Sequence, residues 1–220
     1  MPLNRPEPIL YLITGGHTTE ATTETSEEFG NLLTLVAAAG SAGLDLIQLR
    51  EKNLKARVLY ALTARAAEIT RDTVTRLLVN DRADIARAAG ADGVHLTTRS
   101  LPPQIIRQTF GPNFLIGVST HSLEEARTAR DGGADFAVFG PVFETASKAQ
   151  YGPPAGLERL SQVTSAFAPF PILALGGVSL ENASQCLDAG ARGIAAISLF
   201  SDPAELAAVA REIRASSDYS

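Results

Sequence analysis

The sequence predicts a single-domain α/β protein, a (β/α)8 TIM barrel, on three observations. Eight short apolar runs recur along the 220 residues, each of strand length. Helical patterns separate them. The helix ends repeat one phrase, seen at Ala89-Gly90-Ala91-Asp92-Gly93-Val94, Gly132-Gly133-Ala134-Asp135-Phe136-Ala137 and Ala189-Gly190-Ala191-Arg192-Gly193-Ile194. Such alternation dictates parallel strands joined by crossover helices. The strand count favours a closed barrel over an open sheet, and no segment marks the switch point that a doubly wound sheet needs.

The runs are Ile9–Thr14, Asp45–Arg50, Arg76–Asn80, Gly93–Leu96, Phe114–Val118, Asp135–Phe139, Ile172–Leu175 and Gly193–Ile197. They are apolar on both faces, as buried parallel strands are. Between the second and third, Val58, Leu62, Ala66 and Ile69 recur at helical spacing and predict one buried face. Ser122 with Glu125 predicts a capping box. Asp202-Pro203 with Glu205 predicts an N-cap, a first-turn proline and an acid in order. In the repeated phrase, the glycine ends one helix and the next strand follows a short turn. The Thr- and Glu-rich stretch Gly16 to Glu28 is long for a first loop and is expected to be mobile or to act as a lid. One domain spans 1–220, with 1–8 and 215–220 frayed.

Composition narrows the partners. A net charge of -5 argues against a basic stripe for nucleic acid, but does not exclude a local cationic pocket. The run from Ile9 to Ile13 is too short for a signal peptide or membrane span. The one cysteine, Cys186, allows no intramolecular disulfide and reads as a small helix residue, consistent with a cytoplasmic setting. Homo-oligomerisation stays open.

In a barrel of this kind, chemistry collects at the C-terminal strand ends, with phosphate after strands seven and eight. Those ends carry Gln48-Leu49-Arg50-Glu51-Lys52, Asn80-Asp81-Arg82, His95 followed by Thr97 to Ser100, Ser119-Thr120-His121, Gly140 to Lys148, Gly176-Gly177 and Ile197-Ser198. Arg50, Lys52 and Lys148, with Thr145 and Ser147, form a cationic, hydroxyl-rich set suited to phosphates. Asp81 is a lone acid among them, suited to Mg²⁺ held jointly with phosphate. Each feature also has a plainer reading. Arg50-Glu51-Lys52 can be a solvated charge cluster, Asp81 a helix cap, His95 a packed core histidine, and Gly176-Gly177 a tight turn. Their shared position at one end of the strands favours the site.

Six segments in order resemble the thiamine phosphate synthase and TenI family. They are Gln48-Leu49-Arg50-Glu51-Lys52, Asn80-Asp81-Arg82-Ala83-Asp84, Gly93-Val94-His95-Leu96, Gly117-Val118-Ser119-Thr120-His121-Ser122, Phe139-Gly140-Pro141-Val142-Phe143 and Ala174-Leu175-Gly176-Gly177-Val178. The resemblance implies an enzyme joining a hydroxymethylpyrimidine diphosphate to a thiazole phosphate, with release of pyrophosphate. It implies that Gln48, Arg50, Lys52 and Asn80 contact the pyrimidine diphosphate, and that Asp81 binds Mg²⁺. It assigns Ser119 and Lys148 to pyrophosphate, and Thr145, Ser147, Gly177, Ile197 and Ser198 to the thiazole phosphate, with Gly176 beside them. Arg50, Lys52 and Lys148 then supply the catalytic charge.

There are departures. Ser100 stands where the family carries a second metal acid, Thr98 where synthases usually have Gln, and Gly15 where an Asp usually follows the first strand. They lean toward the TenI branch, in which a histidine matching His121 is the general acid/base of a thiazole tautomerase. Asn80, Asp81 and Lys148 lean back toward the synthase, because a tautomerase binds no diphosphate. A non-catalytic thiazole-phosphate-binding regulatory protein is the third reading.

Overall fold

The computed structural model describes residues 6–145 and 153–217. Its elements alternate strictly: β1 (Ile9–Ile13), α1 (Glu27–Ser41), β2 (Leu46–Leu49), α2 (Ala56–Thr70), β3 (Arg76–Asn80), α3 (Ala83–Ala88), β4 (Gly93–Leu96), α4 (Pro103–Phe110), β5 (Leu115–Thr120), α5 (Leu123–Asp131), β6 (Phe136–Phe139), α6 (Gly156–Phe167), β7 (Ile172–Leu175), α7 (Leu180–Asp188), β8 (Gly193–Ala196) and α8 (Leu206–Ser217). The strands run parallel and close in sequence order. The seam pairs β1 with β8, from Ile9 opposite Gly193 to Leu12 opposite Ala196.

Two cores follow from the period of two along each strand. Leu10, Leu12, Ile47, Leu49, Leu77 and Val79 pack outward against the helices. Ile9, Tyr11, Ile13, Leu46, Leu78, Phe136, Val138, Leu173 and Ala195 fill the lumen. Gln48, Asn80, His95 and Ser119 fall on the lumen phase, so their side chains point into the barrel near its C-terminal mouth.

The repeated phrase folds alike at each copy, with Gly90, Gly133 and Gly190 at positive φ. Where the phrase carries an acid, that acid has a task at the opposite end of the barrel. Asp92 accepts the backbone N–H of Leu77 at 2.8 Å and pairs with Arg76 at 3.2 Å. Asp135 accepts that of Ile116 at 2.7 Å and pairs with Arg107 at 2.7 Å. Asp45, in a fourth variant of the phrase, accepts that of Leu10 at 2.9 Å and meets Arg214 at 3.1 Å. These carboxylates tie neighbouring strands together where the strands begin.

Several boundaries differ from expectation. β5 runs to Thr120, because pairing with β6 continues through Ser119–Val138 and Thr120–Phe139. The first loop ends sooner, since α1 starts at Glu27. The buried face of α2 centres on Leu59, Leu62 and Ala66, with Val58 and Ile69 only at its margins. Asp202 caps a turn through the N–H of Ala204 at 2.9 Å, and α8 begins later, at Leu206. Ser122 does cap Glu125 N–H, at 3.1 Å, but the Glu125 carboxylate takes the N–H of His121 at 2.6 Å rather than that of Ser122.

Candidate active site at the barrel mouth

The mouth is built from strand ends. β2 delivers Gln48, Arg50 and Lys52, and β3 delivers Asn80 and Asp81. The Gln48 amide donates to Asn80 Oδ1 at 3.0 Å, so these two side chains form one surface. Asp81 leaves the strand with φ 64, a left-handed conformation that a non-glycine residue adopts at a cost. Its N–H is held by the carbonyl of His95 at 2.9 Å. The cap position of α3 is Arg82, which makes no side-chain cap bond, so the helix-cap reading of Asp81 finds no support.

The cations are gathered. Burial lowers the Lys52 ammonium pKa, Arg50 and Arg99 lower it further, and Asp81 opposes them. Arg99 therefore belongs to this mouth, where its position after β4 is its only mark in the sequence. It sits in a tight turn after β4, where its N–H donates to Thr97 Oγ1 at 3.3 Å. The same turn holds Ser100, whose hydroxyl accepts the Thr97 N–H at 2.7 Å. Ser100 is thus committed to the turn, and the corner offers one carboxylate, Asp81. Among the described residues no group of three or more His, Cys, Asp or Glu could hold a metal ion.

Glu51 corrects the charge-cluster reading. It is 2% exposed, and accepts from Thr14 Oγ1 at 2.5 Å, Thr18 Oγ1 at 2.6 Å, Gly16 N at 3.2 Å and Thr18 N at 3.4 Å. Thr14 Oγ1 in turn accepts the N–H of Arg50 at 2.8 Å. A Cβ on Gly16 would lie 3.2 Å from Arg50 Nη1, so the first loop rests on that guanidinium. The start of the Gly16–Glu28 stretch is therefore clamped to β2, whereas a mobile loop or lid was expected.

Below these groups, a polar chain crosses the lumen. Ser119 Oγ lies 2.9 Å from His95 Nε2, His95 Nδ1 lies 3.0 Å from the Tyr11 hydroxyl, and that hydroxyl reaches Gln48 Oε1 at 3.5 Å. Burial drives the His95 pKa down to about 3, so the imidazole is neutral. Burial also raises the Tyr11 hydroxyl well above its ordinary value. The ring of His95 packs against Tyr11 and Phe136, with centroids 5.6 and 6.1 Å away. It is a packed core histidine, as the plainer reading held, but both of its nitrogens are engaged.

Across the mouth, Gly176 and Gly177 have φ 96 and 66. A Cβ on Gly176 would meet Pro141 at 2.6 Å, and one on Gly177 would meet the Glu144 carbonyl at 2.4 Å. The glycines thus let the loop after β6 lie against the end of β7, which goes beyond a simple tight turn. Phe143 N–H donates to the Gly176 carbonyl at 2.9 Å. α7 begins three residues after Gly177, with a capping box between Ser179 and Asn182. After β8, Ile197 is 36% exposed and Ser198 opens a short 3₁₀ helix, Ser198–Phe200. Backbone N–H groups at such helix starts suit a phosphate.

His121, just beyond β5, donates from Nδ1 to the Gly140 carbonyl, which orients the ring and leaves Nε2 outside that bond. Cys186 is buried in α7, and burial pushes its thiol up to about 12, so it is a core residue.

A family model described as thiamine monophosphate synthase matches residues 10–200. The chain belongs to the thiamine monophosphate synthase family. A thiamine-phosphate synthase of Moorella thermoacetica is 42% identical over 182 residues, covering 83% of this chain and 86% of the relative. One of Methanoculleus marisnigri is 42% identical over 182 residues, covering 83% and 85%. Among solved structures, thiamine phosphate pyrophosphorylase from Pyrococcus furiosus superposes with a TM-score of 0.74 at 31% identity, covering 93% and 96%.

Within this thiamine monophosphate synthase family barrel, Gln48, Arg50, Lys52, Asn80, Asp81, Ser119, His121, Thr145, Gly176, Gly177, Ile197 and Ser198 all sit at or just beyond C-terminal strand ends. Ser147 and Lys148 lie outside the described residues. Three members of the arrangement carry no site role in the residue-by-residue reading: Arg99, Glu51 and Tyr11. Arg99 has the strand-end position as its only signal. Glu51 looks like any charge in a charged run. Tyr11 reads as plain core.

Proposed function

We infer that the protein is a thiamine phosphate synthase, joining hydroxymethylpyrimidine diphosphate to thiazole phosphate and releasing pyrophosphate. The observation that carries this reading is the cationic mouth of Arg50, Lys52 and Arg99 around the lone carboxylate of Asp81, facing a glycine-lined phosphate corner in a barrel of this family. Arg50 and Lys52 would hold the diphosphate, with Gln48 and Asn80 orienting the pyrimidine. Ser119 would donate to the leaving pyrophosphate, and Lys148, by the family resemblance, would meet the same oxygens. Gly177, Ile197 and Ser198, with Thr145 and Ser147, would surround the thiazole phosphate. Departure of pyrophosphate leaves a pyrimidine methyl cation, which the thiazole nitrogen captures. Such a step asks for positioning and charge stabilisation more than for a base.

Mg²⁺ fits on limited terms. Its usual environment is one or two carboxylates plus substrate phosphates and water. Asp81 offers one such oxygen, turned out of its strand, so the ion would bind together with the diphosphate. Bound there, it would neutralise charge on the departing pyrophosphate.

The test is direct. Purified protein given both substrates and Mg²⁺ should yield one pyrophosphate per thiamine phosphate. No pyrophosphate at any metal concentration rejects the synthase. The tautomerase reading has one supporting observation, the fixed Nδ1 of His121. It expects interconversion of thiazole carboxylate phosphate tautomers, abolished in His121→Ala. Tight thiazole phosphate binding without either turnover would instead mark a regulatory binding protein.

A further inference from the structure

We propose that Tyr11 and His95 are positioning residues that keep the Ser119 hydroxyl hydrogen aimed at the leaving pyrophosphate. The proposal rests on the synthase reading, in which Ser119 meets that anion. The supporting geometry is a continuous polar chain across a lumen filled mainly by apolar side chains. Ser119 on β5, His95 on β4 and Tyr11 on β1 are linked at 2.9 and 3.0 Å, and His95 and Tyr11 are 1% and 0% exposed.

A neutral imidazole in such a chain allows two hydrogen orders. In one, Nδ1 carries the hydrogen and donates to the Tyr11 oxygen, while Nε2 accepts from Ser119. The hydroxyl hydrogen of Ser119 is then spent inward. In the other, Tyr11 donates to Nδ1, and Nε2 carries the hydrogen and donates to Ser119 Oγ. Ser119 is then free to donate outward. A phosphate oxygen is an acceptor only, so an anion against Ser119 selects the second order.

Tyr11 is what makes that order affordable. Without its hydroxyl, the Nδ1 lone pair would be buried and unsatisfied. Its link to Gln48 Oε1, at 3.5 Å, is the longest in the chain and the easiest to give up. Gly117 fixes the ring from the other side, since a Cβ there would lie 2.7 Å from His95 Nδ1. A histidine serving only to fill the core needs none of this alignment.

The experiment uses the full chain labelled with ¹⁵N-histidine, with inorganic pyrophosphate plus Mg²⁺ as the probe. The chain has three histidines, and His95→Gln identifies the buried one. With pyrophosphate bound, His95 should carry its hydrogen on Nε2. Finding it on Nδ1 overturns the proposal. In turnover, His95→Leu and Tyr11→Phe should each lose at least about tenfold in kcat, with KM for thiazole phosphate within about twofold. His95→Gln, whose amide can still donate to Ser119, should recover most of that loss. His95→Leu with the wild-type kcat overturns the proposal, and so does His95→Gln no better than His95→Leu. If a variant fails to fold, the tautomer of the wild-type protein still decides. If the wild type neither binds pyrophosphate nor makes thiamine phosphate, the synthase reading falls and this proposal with it. If the wild type does both and the variants match it, only the positioning role falls.

Discussion

Lowering the pH from 7 toward 5 should destabilise this barrel through one side chain, His95. Burial holds its folded-state pKa near 3, against 6.5 for an unperturbed histidine. Between those values the unfolded chain binds a proton that the folded chain refuses. Stability is therefore complete above pH 6.5, falls as the pH drops below it, and stops falling near pH 3. The slope is about 1.4 kcal/mol per pH unit, so about 2 kcal/mol is lost by pH 5. Tyr11, the titratable group in contact with the ring, has its pKa raised and stays protonated throughout this window. Carboxylates elsewhere also bend the raw profile, so the informative quantity is the difference between wild type and His95→Gln, which cannot titrate. The assay is urea unfolding of both proteins near pH 7, 6 and 5. At neutral pH the variant should be the less stable, by about 1–3 kcal/mol for its disturbed buried hydrogen bonds. The gap should narrow by about 2 kcal/mol at the acid end. Parallel profiles would refute the reasoning, because they would mean that the folded chain takes up the proton as readily as the unfolded one.

Three further outcomes are expected. Glu51→Ala strips the acceptor from four donors and should cost about 3 kcal/mol, or roughly 6–12 °C in Tm for a chain of this size, measured by thermal unfolding. A loss under about 1 kcal/mol would mean that the first loop is not held by this clamp. Gly177→Ala should lower stability by at least about 1–3 kcal/mol through its left-handed backbone alone. It should also weaken thiazole phosphate binding, because the new methyl would press on the Glu144 carbonyl; unchanged binding by calorimetry would separate this corner from the phosphate. Arg99→Gln should weaken pyrophosphate binding severalfold at low salt and less at high salt, since exposed charges are screened; equal affinities at low salt would remove Arg99 from the mouth.

Strands were legible because a parallel strand buried on both faces must be apolar, and glycine-bearing turns punctuate such runs. Gln48, Asn80 and Ser119 were legible because polar residues on the lumen phase at a strand's C-terminal end have little structural reason to be there. The rest depends on closure of the barrel. His95 meets Tyr11 across 84 residues, and Glu51 meets Thr14 and Thr18 across 37 and 33. No local pattern distinguishes a buried Glu51 from a solvated one, because its burial is conferred by hydroxyls on another strand's loop. The end of β5 is hidden in the sequence for a related reason. Ser119 and Thr120 look like loop residues by composition, yet the β6 edge beside them needs their backbone hydrogen bonds.

The opposite ends of the barrel explain how an acidic chain can present an anion site. At the strand starts, Asp45, Asp92 and Asp135 bind backbone N–H groups of the neighbouring strands and are matched by Arg214, Arg76 and Arg107. Each pair sums to zero, so these carboxylates leave no net negative field at that end. At the strand ends the balance is reversed: Lys52 is surrounded by Arg50 and Arg99, with Asp81 opposing them. Salt screening confines each group's influence to about 10 Å, so the mouth responds to its own charges and scarcely to those at the far end. A diphosphate approaching the strand ends therefore meets a cationic surface, and that local surface outweighs the overall charge of the chain.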